Sequence, residues 1–256
     1  HYAGVNLAEP DEPFSTGAYL QAVGETIPPA DPRPWLVCGG TGLYITRLFR
    51  GLDRPAGDPE IRREAESRLA QGGLSSLHAW LNELDPEKRR TLADPLNPRR
   101  VIRAIEVALS GSAPDGSSGP DPSPIRVIGL SVPPEQLARR IAVRIRRMLR
   151  CGWMDEARTL LARKPPLSQT AAMAIGYREL FETIRGERTI EAAVELMEIR
   201  TRQYAKRQMT WFRRQFDVDW VAAGEDRNPA EIAEEVEQRI RDRDPIPLLG
   251  LVPKGL

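Results

Sequence analysis

The hydrophobic residues of the chain recur with two different periods. Residues 35–38 form a short apolar run that leads into the glycine turn at residues 39–42, after which apolar residues follow at helical spacing. This order predicts a strand, a turn and a helix. Residues 125–132 and 218–222 are rich in β-branched residues, and we predict strands there as well. Strands separated by helices are typical of an α/β fold with a parallel sheet.

Helical periodicity fills most of the remaining chain. We predict helices over residues 59–71, 74–84, 98–109, 135–151, 154–163, 170–185, 189–214 and 229–241. Residues 54–124 are interpreted as a helical insertion into a core formed by residues 1–53 and 125–256. The insertion ends at residues 110–124, which contain only Ser, Gly, Ala, Pro and Asp. Because such a segment buries little apolar surface, we predict a flexible linker there.

Composition excludes several classes of protein. With 256 residues, 41% of them hydrophobic and 29% charged, the chain has a globular composition, and no apolar run approaches the roughly 20 residues of a membrane span. Two cysteines, Cys38 and Cys151, supply neither a disulfide framework nor the four ligands of a structural zinc site. No secretory signal is visible at the start of the sequence. We therefore expect a protein of the cytoplasm.

Charge is distributed unevenly although its formal sum is only +1. Residues 135–214 contain 18 Lys and Arg against 9 Asp and Glu, whereas residues 225–244 contain 8 acids against 4 arginines. The distribution predicts a basic working face and an acidic region near the end of the chain.

The glycine turn is a candidate anion site. Gly39, Gly40, Thr41 and Gly42 place backbone N–H groups and one hydroxyl at a predicted helix N-terminus, where the helix dipole favours a phosphate. Such turns also occur where a strand must pack closely against the next helix, and the residues alone do not separate these interpretations. No Gly-Lys dipeptide occurs in the chain, so these residues contain no Walker-type P-loop.

Two later helices carry arginine beside an apolar face. In residues 135–151, Arg140, Arg144 and Arg147 follow one edge of the apolar stripe, with Arg144 nearest to it, either as an anion ligand or as a snorkelling surface residue. Arg139, Arg146 and Arg150 are expected to be solvated. In residues 190–214, basic residues line both margins of a partly aromatic face. This pattern suits binding of an RNA with unstacked bases, and it equally suits an ordinary amphipathic helix. The face contains Ala193, Met197, Tyr204, Gln208, Trp211 and Phe212.

Taken together, six segments resemble the bacterial tRNA dimethylallyltransferase family in order and spacing. The glycine turn with its flanks (37–45) and the segment 201–213, which contains Ala-Lys-Arg-Gln-Met-Thr-Trp-Phe-Arg, carry the specific part of the match. The segments at 12–15, 58–62, 99–107 and 174–179 corroborate it. The resemblance covers nearly the whole chain and implies a P-loop-NTPase-like core with a helical insertion domain.

The resemblance also implies a reaction and a site. A dimethylallyl group would pass from dimethylallyl pyrophosphate to N6 of adenosine 37 in tRNA, with Mg²⁺ as cofactor of the intact enzyme. Thr41 and Arg144 would be catalytic, and Gly39, Gly40, Thr41 and Arg144 would bind the pyrophosphate. The positions that match tRNA contacts of the family are Arg62, Arg99, Arg100, Val101, Ile102, Arg103, Met173, Ala174, Ile175, Gly176, Tyr177, Arg178, Lys206, Arg207, Gln208, Met209, Thr210, Trp211, Phe212 and Arg213.

The chain departs from the family pattern at three places, one of which is the low-complexity segment 110–124, where the family has a more ordered connection. The family's phosphate-binding loop and general-base aspartate precede the position that matches His1, so we expect residues 1–256 alone not to catalyse transfer. Residues 94–98 read Asp-Pro-Leu-Asn-Pro, where the family has Asn-Asp before the basic helix.

We expect a monomer without membrane contact. Two alternatives remain open at this point: a prenyltransferase acting on free adenine nucleotides, and a non-catalytic RNA-binding protein.

Overall fold

A computed structural model describes residues 4–27, 35–51, 58–110 and 125–242 of the chain. The chain divides into two compact units, one formed by His1–Gly51 and Ser123–Leu256 and the other by Leu52–Pro122. The described elements, in chain order, are α1 (Thr16–Thr26), α2 (Gly42–Arg50), α3 (Pro59–Leu84), α4 (Pro86–Thr91), α5 (Pro98–Leu109), β1 (Ile125–Ser131), α6 (Pro134–Arg150), α7 (Trp153–Ala162), α8 (Gln169–Ala172), α9 (Tyr177–Ile184), α10 (Ile190–Gln215), β2 (Phe216–Ala222) and α11 (Pro229–Arg241).

The sheet of the first unit confirms the predicted fold class. β1 and β2 pair in parallel, in a register that runs from Ile125 opposite Phe216 to Ser131 opposite Ala222. Ile125 and Phe216 are buried together with Ile45 of α2, so the start of each strand packs against the helix that follows the glycine turn. The strands predicted over 125–132 and 218–222 are both present.

The strand predicted over residues 35–38 is not part of this sheet. Among the described residues the sheet contains only β1 and β2, and residues 35–38 are not assigned to a strand. Val37 packs against two apolar clusters, whereas Leu36 is exposed. Apolar content alone predicted the strand, but a strand also requires a neighbour that exchanges backbone hydrogen bonds with it.

A helical cluster forms the largest core of the first unit. Its buried residues come from α6, α7, α9 and α10 and are Ile141, Ile145, Trp153, Ala157, Leu180, Phe181, Ala193 and Met197. The single helix predicted over 170–185 is wrong, because residues 173–176 separate α8 from α9. Gly176 has φ 100°, a conformation that L-amino acids with a side chain rarely adopt. A continuous helix therefore cannot pass through it.

The N-terminal part of the first unit contains a helix that the sequence pattern did not reveal. α1 begins after Ser15, whose hydroxyl accepts a hydrogen bond from the Ala18 amide at 3.1 Å. Its Tyr19 stacks on Tyr44 of α2 with ring centroids 4.9 Å apart. Burial raises the pKa of both tyrosines above the usual value of 10.0.

The second unit consists of helices α3, α4 and α5. α3 contains a break at Gly73, where φ is 64°, so the helices predicted over 59–71 and 74–84 correspond to its two parts. The core of this unit joins α3 to α5 through Ala65, Leu77, Leu81, Val101, Ile102, Ala104 and Ile105. The short helix α4 was not predicted. Asn97 caps α5 by accepting a hydrogen bond from the Arg99 amide at 3.1 Å, so the departure at residues 94–98 still provides a cap.

Some predictions fall outside the described residues. These are the greater part of the flexible linker, residues 111–124, and the last two residues of the acidic region, 243 and 244. Within the residues that the structure describes, none of the helices combines the length and the apolar character that a membrane span needs.

Candidate functional site

Thr41, the third residue of the glycine turn, is the N-cap residue of α2. Its backbone carbonyl accepts hydrogen bonds from the amides of Tyr44 and Ile45, at 3.0 and 3.2 Å. The Thr41 side chain makes no capping hydrogen bond. Gly39, Gly40 and Thr41 are exposed, whereas Gly42 is buried. The turn thus presents an uncommitted hydroxyl at the positive end of a helix.

Helix α10 packs directly against this turn. The side-chain amide of Gln208 donates a hydrogen bond of 2.8 Å to the carbonyl oxygen of Gly40. A Cβ atom on Gly42 would lie 2.2 Å from Cδ1 of Trp211, and one on Gly40 would lie 2.6 Å from Nε2 of Gln208. The close approach of the Trp211 ring therefore requires glycine at position 42, whereas at position 40 the neighbour is the flexible end of Gln208; the contact at Gly42 supports the packing interpretation of the turn. The same contact brings Thr41 next to the basic helix.

A second feature lies on α6. A shallow depression of about 450 Å³ is lined by Arg139, Arg140, Val143, Arg144, Arg147 and Glu225. The three arginines predicted to share one edge of α6 are therefore grouped in the structure. Thr41 is not among the residues that line the depression.

The charges of the depression are only partly balanced. Arg139 is exposed, as expected, and also pairs with Glu225 at 3.0 Å because α6 runs beside the chain that follows β2. Arg140 reaches the Ala223 carbonyl at 3.4 Å. Within the described part of the chain, Arg144 and Arg147 have no ion-pair partner. Two exposed guanidinium groups one helical turn apart favour a bidentate oxyanion such as a diphosphate.

The second half of α10 is open to solvent, unlike its first half. Ala193 and Met197 are buried, but the side chains of Tyr204 and Trp211 on the same face are 38% and 39% exposed. The Arg207 guanidinium lies 5.9 Å from the centroid of the Tyr204 ring. Exposed aromatic rings beside cations suit unstacked bases and phosphates. The face predicted for this helix is thus a core face over its first half. Over its second half, Gln208, Trp211 and Phe212 pack against the glycine turn and the sheet, while the Tyr204 and Trp211 rings stay partly exposed.

The loop between α8 and α9 exposes two apolar side chains. Met173 is 56% exposed and Ile175 is 37% exposed, while Gly176 is buried against Trp153. The hydroxyl of Tyr177 donates a hydrogen bond of 2.8 Å to Glu156. Burial, and then this hydrogen bond, raise the pKa of Tyr177. Glu182 forms ion pairs with Arg188 at 2.9 Å and with Arg178 at 3.1 Å. Hydrogen bonds from these two arginines lower the pKa of Glu182.

In the second unit, the predicted tRNA contacts separate into surface and core residues. Arg62 and Arg103 share the carboxylate of Glu106, each at 2.9 Å, and Glu106 is 2% exposed. Arg99 and Arg100 are exposed. Val101 and Ile102 lie in the core between α3 and α5, because they occupy the apolar face of α5. Their side chains are not available to RNA, so the prediction of a direct contact is corrected for these two residues.

Two buried carboxylates were missed by the sequence interpretation. Glu106 and Glu179 are both buried, and both pair with arginine from another helix. Glu179 stands three residues after Gly176, the spacing of a capping box, which is the one signal that could have revealed it. The partner on the other helix has no signal in the sequence, because it depends on how the helices pack.

A magnesium cofactor finds no matching ligand set in this part of the chain. Among the described residues, no group of three or more His, Cys, Asp or Glu side chains is arranged to hold a metal ion. Asp and Glu oxygens are the protein ligands that Mg²⁺ prefers.

Fold and site together define an α/β protein whose glycine turn packs against a basic, partly aromatic helix. Residues 1–215 match the IPP transferase family, and the chain belongs to that family. The tRNA dimethylallyltransferase of Bacillus licheniformis is 37% identical over 225 residues, which are 84% of this chain and 71% of the relative. That of Methylococcus capsulatus is 36% identical over 249 residues, which are 92% of this chain and 79% of the relative.

Solved structures agree with this assignment. The full-length tRNA isopentenylpyrophosphate transferase of Bacillus halodurans superposes with a TM-score of 0.60 and 31% identity, over 92% of this chain and 76% of that one. The tRNA Δ(2)-isopentenylpyrophosphate transferase of Staphylococcus epidermidis gives a TM-score of 0.58 and 28% identity, over 93% and 79% of the two chains. The P-loop-like architecture implied by the sequence resemblance is thus confirmed.

Proposed function

We propose that the chain belongs to an enzyme that transfers a dimethylallyl group from dimethylallyl pyrophosphate to N6 of adenosine 37 in tRNA. Membership of the IPP transferase family supports this reaction. The structural observation that carries the proposal is the hydrogen bond from Gln208 to Gly40, because it joins the glycine turn to the basic helix α10. One side of this contact suits a phosphate and the other suits RNA.

In the proposed reaction, N6 of the adenine attacks C1 of the dimethylallyl group. A C–N bond forms, the C–O bond to pyrophosphate breaks, the pyrophosphate leaves with the electron pair, and N6 loses a proton to a base. Negative charge grows on the leaving group, and Arg144 would stabilise it. Thr41, with Gly39 and Gly40, would hold the diphosphate near the target nitrogen.

RNA would be bound by three surfaces. These are the exposed half of α10 from Lys206 to Arg213, the residues from Met173 to Arg178, and the arginines of the second unit, which are Arg62, Arg99, Arg100 and Arg103. Adenine N6 is inaccessible inside a stacked loop, so the base has to leave the stack before the reaction. Exposed Tyr204 and Trp211 would supply surfaces against which unstacked bases pack.

The proposal also includes a magnesium ion, action as a monomer and a location in the cytoplasm. Mg²⁺ would accompany the diphosphate, since this ion commonly binds substrate phosphates in company with few protein ligands. The acting unit would be the monomer, because the glycine turn and the helix packed on it belong to the same chain. Cys38 and Cys151 are free thiols, which fits the reducing cytoplasm.

Two substitutions separate the proposed roles. We expect Arg144→Ala to slow transfer by about 100-fold, because a cation at the leaving group is lost, and to leave RNA affinity within about twofold. Lys206→Ala should instead weaken RNA binding several-fold and change the maximal rate little. Two quantities are to be measured in an enzyme that contains this chain. They are the steady-state rate of transfer to an anticodon stem-loop RNA and the equilibrium affinity for the same RNA.

Arg150→Ala is the matched control, because Arg150 is an exposed arginine of α6 that does not line the depression. It should change neither quantity. If Arg144→Ala and Arg150→Ala behave alike, or if Arg144→Ala reduces transfer and RNA affinity equally, the assignment of Arg144 to the diphosphate is wrong.

A further inference from the structure

Glu179 of α9 is a fully buried acid whose two carboxylate oxygens have different partners. Oε2 accepts a hydrogen bond of 2.7 Å from the backbone amide of Gly176. Oε1 forms a short ion pair with the guanidinium group of Arg200, which belongs to α10. One carboxylate therefore joins the start of α9 to the helix that carries the proposed RNA face.

The backbone at Gly176 adopts a conformation that only glycine takes readily. Its φ of 100° lies in the left-handed region, and a Cβ atom there would be 2.2 Å from the Trp153 ring. The amide held by Glu179 is therefore at the point where the chain turns from the exposed loop into α9. Residues 173–175 precede it directly, and Met173 and Ile175 extend from the surface.

A buried carboxylate is not needed merely to begin a helix. A Glu at the third helical position usually forms its capping bond at the surface, where water hydrates the charge. Here the carboxylate is fully buried, and burial of a charge is unfavourable unless it is paired and hydrogen-bonded. Arg200 supplies that pairing from another helix. The arrangement thus fixes the loop relative to α10, which a local cap alone would not do.

We propose that Glu179 is a positioning residue for RNA recognition. With Arg200 it holds the loop 173–176 in one conformation beside α10, so that Met173 and Ile175 are already placed to pack against unstacked bases of the anticodon loop. Apolar side chains held in place before binding lose little conformational entropy when the RNA arrives. The inference rests on the proposed function and names residues that act in its RNA-binding step.

The test compares four variants with the wild-type chain. Glu179→Ala removes both partners' contacts, Glu179→Gln keeps an acceptor for the Gly176 amide but loses the charge, and Arg200→Met removes the guanidinium group. Glu235→Ala is the matched control. Glu235 also forms ion pairs with two arginines, Arg227 and Arg239, but it lies on α11, outside the loop under test. For each protein we would measure affinity for an anticodon stem-loop RNA, the thermal unfolding midpoint, and amide hydrogen exchange of residues 173–176.

The expected result is a loss of RNA affinity that stability alone does not explain. Glu179→Ala should bind RNA at least tenfold more weakly, with faster exchange at residues 173–176, and Glu179→Gln should restore part of the affinity. Glu235→Ala should lower the midpoint and keep its RNA affinity within about twofold of the wild type. All affinities are to be taken well below every unfolding midpoint.

Two results would overturn the inference. One is RNA affinity within twofold of the wild type in Glu179→Ala or, if that variant does not fold, in both Glu179→Gln and Arg200→Met. The other is an equal loss of affinity in Glu235→Ala. If the wild-type chain fails to bind the RNA at all, the proposed function is contradicted instead, and the exchange rates of residues 173–176 still decide whether Glu179 holds the loop.

Discussion

Single side chains set the geometry of the candidate RNA surfaces in both units. Glu106 holds Arg62 of α3 and Arg103 of α5, and Glu179 holds Arg200 of α10. In each case the acid is buried and at least one of its arginines is partly exposed. An arginine tied by one edge to a buried carboxylate keeps its remaining N–H groups in a fixed direction, which suits recognition of a phosphate.

Removal of Glu106 should destabilise the second unit. We expect Glu106→Ala to lower the free energy of unfolding by about 2–3 kcal/mol, because two charge-assisted hydrogen bonds are lost. The loss stays below the roughly 3–5 kcal/mol of a fully enclosed pair, since both arginines reach water. Urea denaturation measures this quantity. Glu60→Ala, which removes an exposed pair with Arg63, should cost less than about 0.5 kcal/mol; equal effects would show that Glu106 is not buried as described.

At the scale of elements, the decisive contact is that of α10 with the glycine turn. α10 begins in the helical core through Ala193 and Met197 and ends against the turn through Gln208 and Trp211. Phe212 then stacks on Phe216, the first residue of β2, with ring centroids 5.1 Å apart. One long helix therefore links the core, the sheet and the turn.

Two glycines test this packing. Gly42→Ala should lower the free energy of unfolding by about 1–3 kcal/mol, because its Cβ atom would overlap the Trp211 ring. Gly17→Ala, in α1, has its nearest neighbour at 3.7 Å and should be neutral or stabilising by up to about 1 kcal/mol. Denaturant unfolding of both variants gives the comparison. A Gly42→Ala variant as stable as the wild type would mean that α10 does not approach the turn closely.

At the scale of the whole molecule, the balance of charge separates the proposed function from its closest alternative. The formal charge is only +1, but residues 135–214 carry twice as many basic as acidic residues. A protein that binds RNA through several phosphates releases counterions, whereas one that binds a free nucleotide releases few. The unequal distribution favours the RNA substrate.

Salt dependence provides the measurement. We expect the logarithm of RNA affinity to fall linearly with the logarithm of salt concentration, with a slope of about −0.7 for each phosphate contacted in a single strand. Four or more contacts would give a slope near −3 or steeper. Lys206→Ala should make the slope shallower by about one contact. Absence of measurable RNA affinity at low salt, together with binding of adenine nucleotides, would favour a small-nucleotide prenyltransferase.

Much of the fold could be predicted from local patterns. The predictions of strands at 125–132 and 218–222 and of helices at 98–109, 135–151 and 189–214 rest on periodicity, which is a property of residues close together along the chain. The pattern failed where the outcome depends on distant neighbours. Residues 35–38 are apolar but are not paired in the described sheet, and residues 170–185 are helical in composition but are interrupted at Gly176.

The candidate site divides in the same way. Periodicity placed Arg140, Arg144 and Arg147 on one edge of α6, and the structure groups them in one depression. The family resemblance placed Val101 and Ile102 among the RNA contacts together with the arginines of α5, but burial assigns these two side chains to the core. A residue's neighbours along a helix follow from sequence spacing, whereas its accessibility depends on which face the rest of the fold covers.

The sequence by itself determined the family segments, the two strands of the described sheet, most of the long helices, and the surplus of basic residues over 135–214, because each is a property of residues close together along the chain. Only the tertiary structure decided that Gln208 meets Gly40, that Arg200 meets Glu179, and that Arg62 meets Glu106. These pairs are separated by many residues and meet only when helices pack. Their contribution depends on burial and distance, which the linear order of amino acids does not contain.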